Sequence, residues 1–367
     1  MKHVFSLICF FLLVFSPTIY GQYQFDTTSD LACTSVKSQG RTGTCWSFTT
    51  ISYLESEMLR QGKVAEDLSE MYVVRSTYLD KAKNYFLRQG KANFSQGSLS
   101  HDVMKAFSRD GIVPDAVFSG LKDGAKRHDH NQLERELKSF LDKKIASKTP
   151  MVNWIPEFTA LMDDYLGEAP TEFGADDGTY TPQTYAKTLG INPDDYVTLT
   201  SFTHHPYFSS FILEIPDNYS NGLYYNLPLK DLESILIDAL ESGHTVAWDG
   251  DVSEPTFSSA KGLAVLPEDP SADWTGAPVK EISVNADNRQ KAFEDYTTTD
   301  DHLMHLVGLS KDQAGNTYIK VKNSWGAVGP YNGFLYMSLP YYKMKTVGIL
   351  VHKDVIPEEI KQQLGLN

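Results

Sequence analysis

Apolar residues after position 45 recur with a helical period. Phe48, Ile51, Leu54 and Met58 fall on one helical face, so the spacing predicts about four helical turns that begin at Cys45. The same period predicts further helices over 68–83, from a Ser100 cap to Gly111, and over 131–147, 181–190 and 229–243. The front of the chain is therefore predicted to be mainly helical.

The middle of the chain is predicted to be mixed, with strands as well as helices, and the last third, where apolar and polar residues alternate, is predicted to be rich in strands. Strand-like segments span 196–203, 209–215, 244–252, 302–310, 317–326, 333–339 and 346–352. The turn sequence KDQAGN, which separates 302–310 from 317–326, predicts a hairpin. A helical front followed by a strand-rich back predicts an α+β fold whose lobes come from separate parts of the chain.

The first 21 residues carry a different pattern. Lys2 and His3 precede the apolar run Val4–Phe15, and Gly21 follows it. This order is typical of a secretory signal peptide, so we predict cleavage near Gly21, export to the periplasm or the exterior, and one mature domain over 22–367. The run is too short for a comfortable membrane span, so no membrane association is expected after cleavage. An uncleaved anchor is the alternative.

Composition and charge narrow the class of partner. The chain has 41% hydrophobic and 22% charged residues and a formal net charge of −14, which indicates a globular protein whose surface disfavours nucleic acid and anionic membranes. Three histidine clusters occur, at 128 and 130, at 204 and 205, and at 302 and 305. None has the spacing of a closed zinc site, so we predict no metal and no cofactor, and we expect the first two clusters to be solvated loop residues.

Two cysteines remain after signal cleavage, Cys33 and Cys45. They could form one disulfide, which would block Cys45 until it is reduced. Alternatively, Cys33 is a small buried residue and Cys45 is a free thiol. The sequence leaves both alternatives open.

The residues around Cys45 suit a nucleophile. A helix N-terminus favours the thiolate over the thiol, and Gly40 and Gly43 allow tight turns just before it. Gln39 precedes Cys45 by six residues, so its amide and the Cys45 backbone N–H are candidates for a two-donor oxyanion hole.

A base is available on the predicted strand 302–310. His302 and His305 point to opposite faces of that strand, and His305 shares its face with apolar residues, so His302 is the candidate base. On the partner strand Asn323 points inward, where an amide needs a hydrogen-bond partner. The imidazole of His302 is that partner in our interpretation, and Trp325 shields the bond from water.

Three segments resemble the active-site blocks of papain-like cysteine peptidases, in the family's order: QGRTGTCWSF, DHLMHLVG and KNSWG. The resemblance implies a two-lobed fold with a helical lobe and a β-barrel-like lobe. It also implies Cys45 as the nucleophile, His302 as the base, Asn323 as the residue that orients the histidine, and Gln39 as an oxyanion donor.

Two features indicate which branch of the papain-like family this sequence resembles. They are the long stretch between Cys45 and His302 and the short segment before Cys45. Both resemble bleomycin hydrolase and the aminopeptidase C group, with a large insertion between the lobes at about 120–235. The segment QGSLSHDVMKAFSRDGIVP also resembles this branch, which implies that the Gly97 backbone binds substrate. We add Trp325 to the predicted substrate-binding residues.

The resemblance implies an exported peptidase acting on peptides, of the aminopeptidase type. In this branch a C-terminal arm places its carboxylate in the cleft, where it holds the substrate's free amine. The present sequence ends at Asn367, soon after the segment VIPEEIKQQL that resembles the branch's C-terminal helix, so an endopeptidase or dipeptidase is the alternative. A non-catalytic peptide-binding relative is the alternative of another class. Relatives in this branch form rings, so a homo-oligomer is a further alternative for this chain.

Overall fold

The computed structural model describes residues 23–64, 66–122, 124–175 and 178–366. The predicted signal peptide lies outside these ranges. In the described ranges, none of the helices combines the length and apolar character needed to cross a bilayer.

The helices of the described residues pack mostly in the first half of the chain. They are α1 Cys45–Arg60, α2 Glu70–Leu87, α3 Ser100–Asp110, α4 Asn131–Ala146, α5 Met151–Leu166, α6 Pro182–Thr188, α7 Leu229–Glu241, α8 Ala286–Glu294, α9 Leu339–Lys345 and α10 Glu358–Leu364. The predicted four-turn helix after Cys45 is confirmed as α1. The predicted Ser100 cap is wrong, because Ser100 is the first helical residue and Leu99 precedes it without a side-chain cap.

Helix α5 was not predicted from the sequence. It contains Pro156, which disfavours a helix interior. Trp154, Phe158 and Met162 nevertheless follow at a spacing of four residues and are fully buried. Burial of three large side chains on one face outweighs the cost of the proline.

The strands of the described residues join mainly in one large sheet. They are β1 Asp26–Asp30, β2 Phe173–Ala175, β3 Gly178–Tyr180, β4 Tyr196–Thr200, β5 Ser209–Ile212, β6 Leu223–Asn226, β7 Val246–Gly250, β8 Phe257–Ser258, β9 Leu263–Ala264, β10 His302–Lys311, β11 Thr317–Lys322, β12 Phe334–Ser338 and β13 Thr346–His352. The order in the sheet is β5-β6-β4-β13-β7-β10-β11-β12-β9-β8, with β1 beside β10, and β2 pairs with β3 apart from it. The predicted hairpin is confirmed, since β10 and β11 are antiparallel neighbours.

Two apolar cores lie on opposite faces of strand β10. Leu303 packs with α1 and the other front helices, whereas Met304 packs with α7 and the strands of the back half. Leu303 and Met304 reach different cores because successive side chains of a strand point to opposite faces of the sheet. The predicted α+β fold with two lobes is therefore confirmed, and strands β4, β5 and β6 of the predicted insertion extend its sheet beyond β13.

The segment before α1 crosses to the sheet lobe just after β11. The Gln39 backbone N–H donates to Ser324 O at 2.9 Å, and Gly326 N–H donates to Lys37 O at 3.0 Å. Between these bonds Ser38 forms a bridge with Trp325. These contacts bring the loop that leads to Cys45 against the segment that follows Asn323.

Candidate active site

Cys45 is the first residue of α1 and is 7% exposed. Burial raises the pKa of its thiol to about 12, while a hydrogen bond with the Leu303 backbone lowers it and the charges of Asp300, Asp249 and Asp217 raise it. Burial therefore outweighs the helix N-terminus, which alone would favour the thiolate. The thiol is protonated at neutral pH in the unliganded site.

His302 opens strand β10 and is 4% exposed. Its Nε2 lies 2.8 Å from Asn323 Oδ1. Burial lowers the pKa of His302 to about 4, although the Asn323 bond acts in the opposite direction. The imidazole is therefore neutral at neutral pH, which is the form that accepts a proton.

The contacts of Asn323 fix the tautomer of His302. The Ser324 backbone N–H donates to Asn323 Oδ1 at 2.7 Å, and Asn323 Nδ2 donates to Ser259 Oγ at 3.0 Å. Since Oδ1 only accepts, the His302 Nε2 must carry the hydrogen of the shared bond. Nδ1 of His302 is then the unprotonated nitrogen and the candidate base.

Trp325 covers the imidazole. The two ring centroids lie 4.7 Å apart with 31° between the ring planes, and Trp325 itself is 39% exposed while Asn323 is 3% exposed. This is the shielding position predicted from the sequence. Its role in substrate binding stays a prediction.

Gln39 is held by contacts to both lobes. Its Oε1 accepts from Ser324 Oγ at 2.6 Å, and its Nε2 donates to Thr42 O at 2.6 Å. The amide is thus fixed near Cys45, with one N–H committed to the loop carbonyl. Its action as an oxyanion donor stays a prediction.

The two glycines before Cys45 serve different purposes. Gly40 has a φ of +70°, and a Cβ there would lie 3.0 Å from the His128 backbone nitrogen. A Cβ on Gly43 would lie 3.1 Å from Gln96 Cβ. Gly40 therefore makes a turn that other residues rarely adopt, while Gly43 allows residue 96 to pack closely.

Gly97 lies beside the start of α1. Trp46 Nε1 donates to Gln96 O at 2.9 Å, and the Gly43 backbone N–H donates to Gln96 Oε1 at 2.8 Å. The carbonyl of Gly97 accepts from the buried Lys81 Nζ. The structure therefore places the segment that holds Gly97 beside the start of α1, and the contact of Gly97 with substrate stays a prediction.

The remaining histidines lie outside this group. His305 is buried and its Nδ1 lies 2.9 Å from Ser52 Oγ, as expected for a residue on the apolar face. The expectation of a solvated His130 is wrong, because this side chain is buried and lies 3.0 Å from Tyr78 OH.

Carboxylates around Cys45 were missed from the sequence. Asp217, Asp249 and Asp300 all lie close enough to raise the pKa of the Cys45 thiol. Asp300 could have been noticed, since it stands two residues before His302. Asp217 and Asp249 are remote in sequence and carry no local signal.

A helical lobe packed on a sheet, with a helix-start cysteine and a strand-start histidine at their junction, is the architecture of a papain-like cysteine peptidase. Two family models match the chain: the "Papain family cysteine protease" model over residues 22–161 and the "Peptidase C1-like family" model over residues 170–366. The chain belongs to the Peptidase C1-like family and is a cysteine peptidase.

The chain is similar along most of its length to bacterial aminopeptidases. It is 23% identical to Aminopeptidase G of Lactobacillus delbrueckii subsp. lactis, covering 96% of this chain and 88% of that protein. It is also 23% identical to Aminopeptidase W of the same organism, covering 94% and 87%. The crystal structure of PepW from Lactobacillus rhamnosis superposes with a TM-score of 0.74 at 19% identity, covering 93% of this chain and 84% of that one. The predicted resemblance to the aminopeptidase C branch is confirmed.

Proposed function

We propose that this peptidase is an exported aminopeptidase that acts through Cys45, His302 and Asn323. The hydrogen bond between His302 Nε2 and Asn323 Oδ1 carries the proposal, because it leaves Nδ1 as a base. The similarity to Aminopeptidases G and W supports the aminopeptidase part.

In the proposed mechanism the resting pair is a neutral thiol and a neutral imidazole. As Cys45 Sγ attacks the peptide carbonyl carbon, its proton passes to His302 Nδ1. The tetrahedral oxyanion accepts hydrogen bonds from the Cys45 backbone N–H and Gln39 Nε2. Asn323 keeps the imidazolium oriented during this step.

The second half of the catalytic cycle releases both products and regenerates the free enzyme. The imidazolium of His302 donates its proton to the departing amine, which leaves a thioester on Cys45. His302 then takes a proton from water, whose oxygen attacks the thioester carbonyl. The carboxylic acid product leaves, and the Cys45 thiolate takes the proton back from the imidazolium of His302.

A pair of reporters tests the aminopeptidase assignment. We expect kcat/KM for an aminoacyl amide with a free amine to exceed that of its N-acetyl twin by about 30-fold or more, as for the loss of a charged hydrogen bond. Hydrolysis rates of the two fluorogenic amides give this ratio. Equal values, or a preference for the acetylated twin, would favour the endopeptidase alternative.

The export proposal is supported by the basic start, the short apolar run and the small residue at Gly21, which is the order of a secretory signal peptide. We expect the native protein to be recovered from the periplasmic or extracellular fraction with its N-terminus near Gln22. Intact-mass measurement of each fraction checks this. A cytoplasmic protein that retains Met1 would contradict it.

A further inference from the structure

A carboxylate from the predicted insertion lies directly over Gly97. A Cβ built on Gly97 would approach the Asp217 carboxyl carbon to 2.5 Å, so a larger residue at position 97 would displace this carboxylate. Asn93 Nδ2 donates to Asp217 Oδ1 at 2.8 Å, and Ser95 Oγ lies 3.4 Å from the same atom. No donor among the described residues hydrogen-bonds to Oδ2, so one oxygen of this carboxylate is available.

A second acidic side chain lies close by and pairs with another carboxyl group. Asp249 stands on β7 opposite Leu303, the residue after His302. It is 5% exposed, and in the described part of the chain neither of its oxygens accepts a hydrogen bond from a nitrogen or hydroxyl group. It faces the carboxyl of Asp300, and burial together with the charge of Asp300 raises the pKa of Asp249 well above its usual range.

One buried cation balances this group only in part. Lys81 Nζ donates to the carbonyl of Gly97, lies 3.5 Å from Ser95 Oγ, and lowers the pKa of Asp217 and of Asp300 through its charge. Burial and the charge of Asp217 nevertheless raise the pKa of Asp300 to about 7. A raised pKa means that the ionised forms of these neighbouring carboxyl groups repel each other. An additional positive charge would stabilise the ionised forms.

Asp300 is the member of this group that faces a surface cavity. Asp300 lines a surface cavity of about 480 Å³, and Ile215, Pro216 and Phe293 form apolar parts of its wall. Pro216 is the neighbour of Asp217 in the chain. A ligand with an ammonium group and an apolar side chain therefore finds both kinds of surface here.

We infer that Asp217, backed by Asp249 and Asp300, is an ammonium-binding subsite beside Gly97 that holds the free α-amine of a peptide substrate. Asp217 lies over Gly97 beside the start of α1, and Asp249 stands opposite Leu303, so an amine held here is close to Cys45. This inference rests on the proposed peptidase function and assigns its selectivity to side chains of the chain's own insertion and sheet.

Asp217→Asn tests the subsite because it removes the charge and keeps the size of the side chain. We expect kcat/KM for the free-amine reporter to fall about 10- to 100-fold, mainly through KM, as for the loss of a charge-assisted hydrogen bond. The N-acetyl twin should change less than about threefold. Asp30→Asn is the matched control, since this exposed carboxylate pairs with Lys320 on strand β11, and neither reporter should respond to it.

A third reporter separates two sources of ammonium. If Asp217→Asn slows an N-acetyl-lysyl-aminoacyl amide and spares the free-amine reporter, the subsite holds a basic side chain and the assignment to the α-amine is overturned. Equal losses on the free-amine and acetylated reporters would overturn it as well. Labelling of Cys45 by an epoxide inhibitor shows that the variant is folded. If Asp217→Asn does not fold, Asp217→Ser, which also removes the carboxylate, carries the same comparison.

Different results would contradict the proposed peptidase function and the proposed subsite. A wild-type enzyme that cleaves none of the three reporters, or a Cys45→Ala variant that remains active, would contradict the peptidase mechanism itself. Loss of amine selectivity in Asp217→Asn with Cys45 still reactive concerns the subsite alone.

Discussion

Replacement of Cys45 by alanine should lower kcat/KM for the aminoacyl reporter by at least about 10⁴-fold, because no other group can form the thioester. Cys45 begins α1 beside the backbone of Leu303, and we expect the variant, which loses one sulfur atom, to keep the fold. Steady-state rates of the purified variant measure the loss, and circular dichroism confirms that the variant is folded.

Cys33→Ser is the matched control, since Cys33 is the other free cysteine of the described chain and is partly exposed. We expect it to keep wild-type rates and to take one epoxide-inhibitor adduct, as the wild type does. Near wild-type turnover by Cys45→Ala would show that the nucleophile lies elsewhere. An adduct on Cys33 in place of Cys45 would show the same.

His302→Ala should lower kcat by about 10³- to 10⁴-fold with little change in KM, because the thiol then has no base. The pKa of about 4 for His302 sets the pH dependence. A lowered pKa keeps the imidazole neutral in more acidic solution, so wild-type reactivity is lost only as the pH falls through about 4. The rate of Cys45 alkylation by iodoacetamide, which carries no ammonium group for the carboxylates to bind, measures this profile.

His305→Asn distinguishes the two histidines of strand β10. It retains an acceptor for Ser52 Oγ, to which the Lys322 ammonium also donates at 2.7 Å. We expect kcat close to wild type and a Tm lower by about 2–8 °C, as for a change in a buried side chain. If His305→Asn were inactive while His302→Ala kept its rate and its acid profile, the base would be His305.

Local sequence patterns predicted the elements that carry the candidate catalytic residues. Helix α1 was predictable because its apolar residues repeat with one period from Cys45 onward. The β10–β11 hairpin was predictable for the same kind of reason, and its alternation also separated His302 from His305. Each of these predictions depends on neighbours within one element.

The acidic surroundings of Cys45 could not be predicted in this way. Asp217 reaches Gly97 from an insertion, and Asp249 reaches Leu303 from a strand paired across the sheet. Neither contact leaves a periodic trace, since each depends on how distant segments are brought together. Helix α5 was missed for a different reason. Its internal proline argues against a helix, although one face of the helix is fully buried.

The contacts of Ser324 have a consequence for how substitutions combine. Its backbone N–H holds Asn323, its hydroxyl holds Gln39, and its carbonyl receives the Gln39 backbone N–H. One residue thus joins Asn323, the proposed orienting residue, to Gln39, the proposed oxyanion donor. Asn323 and Gln39 are therefore coupled through Ser324. We expect the free-energy changes caused by substitutions at these two residues not to be additive.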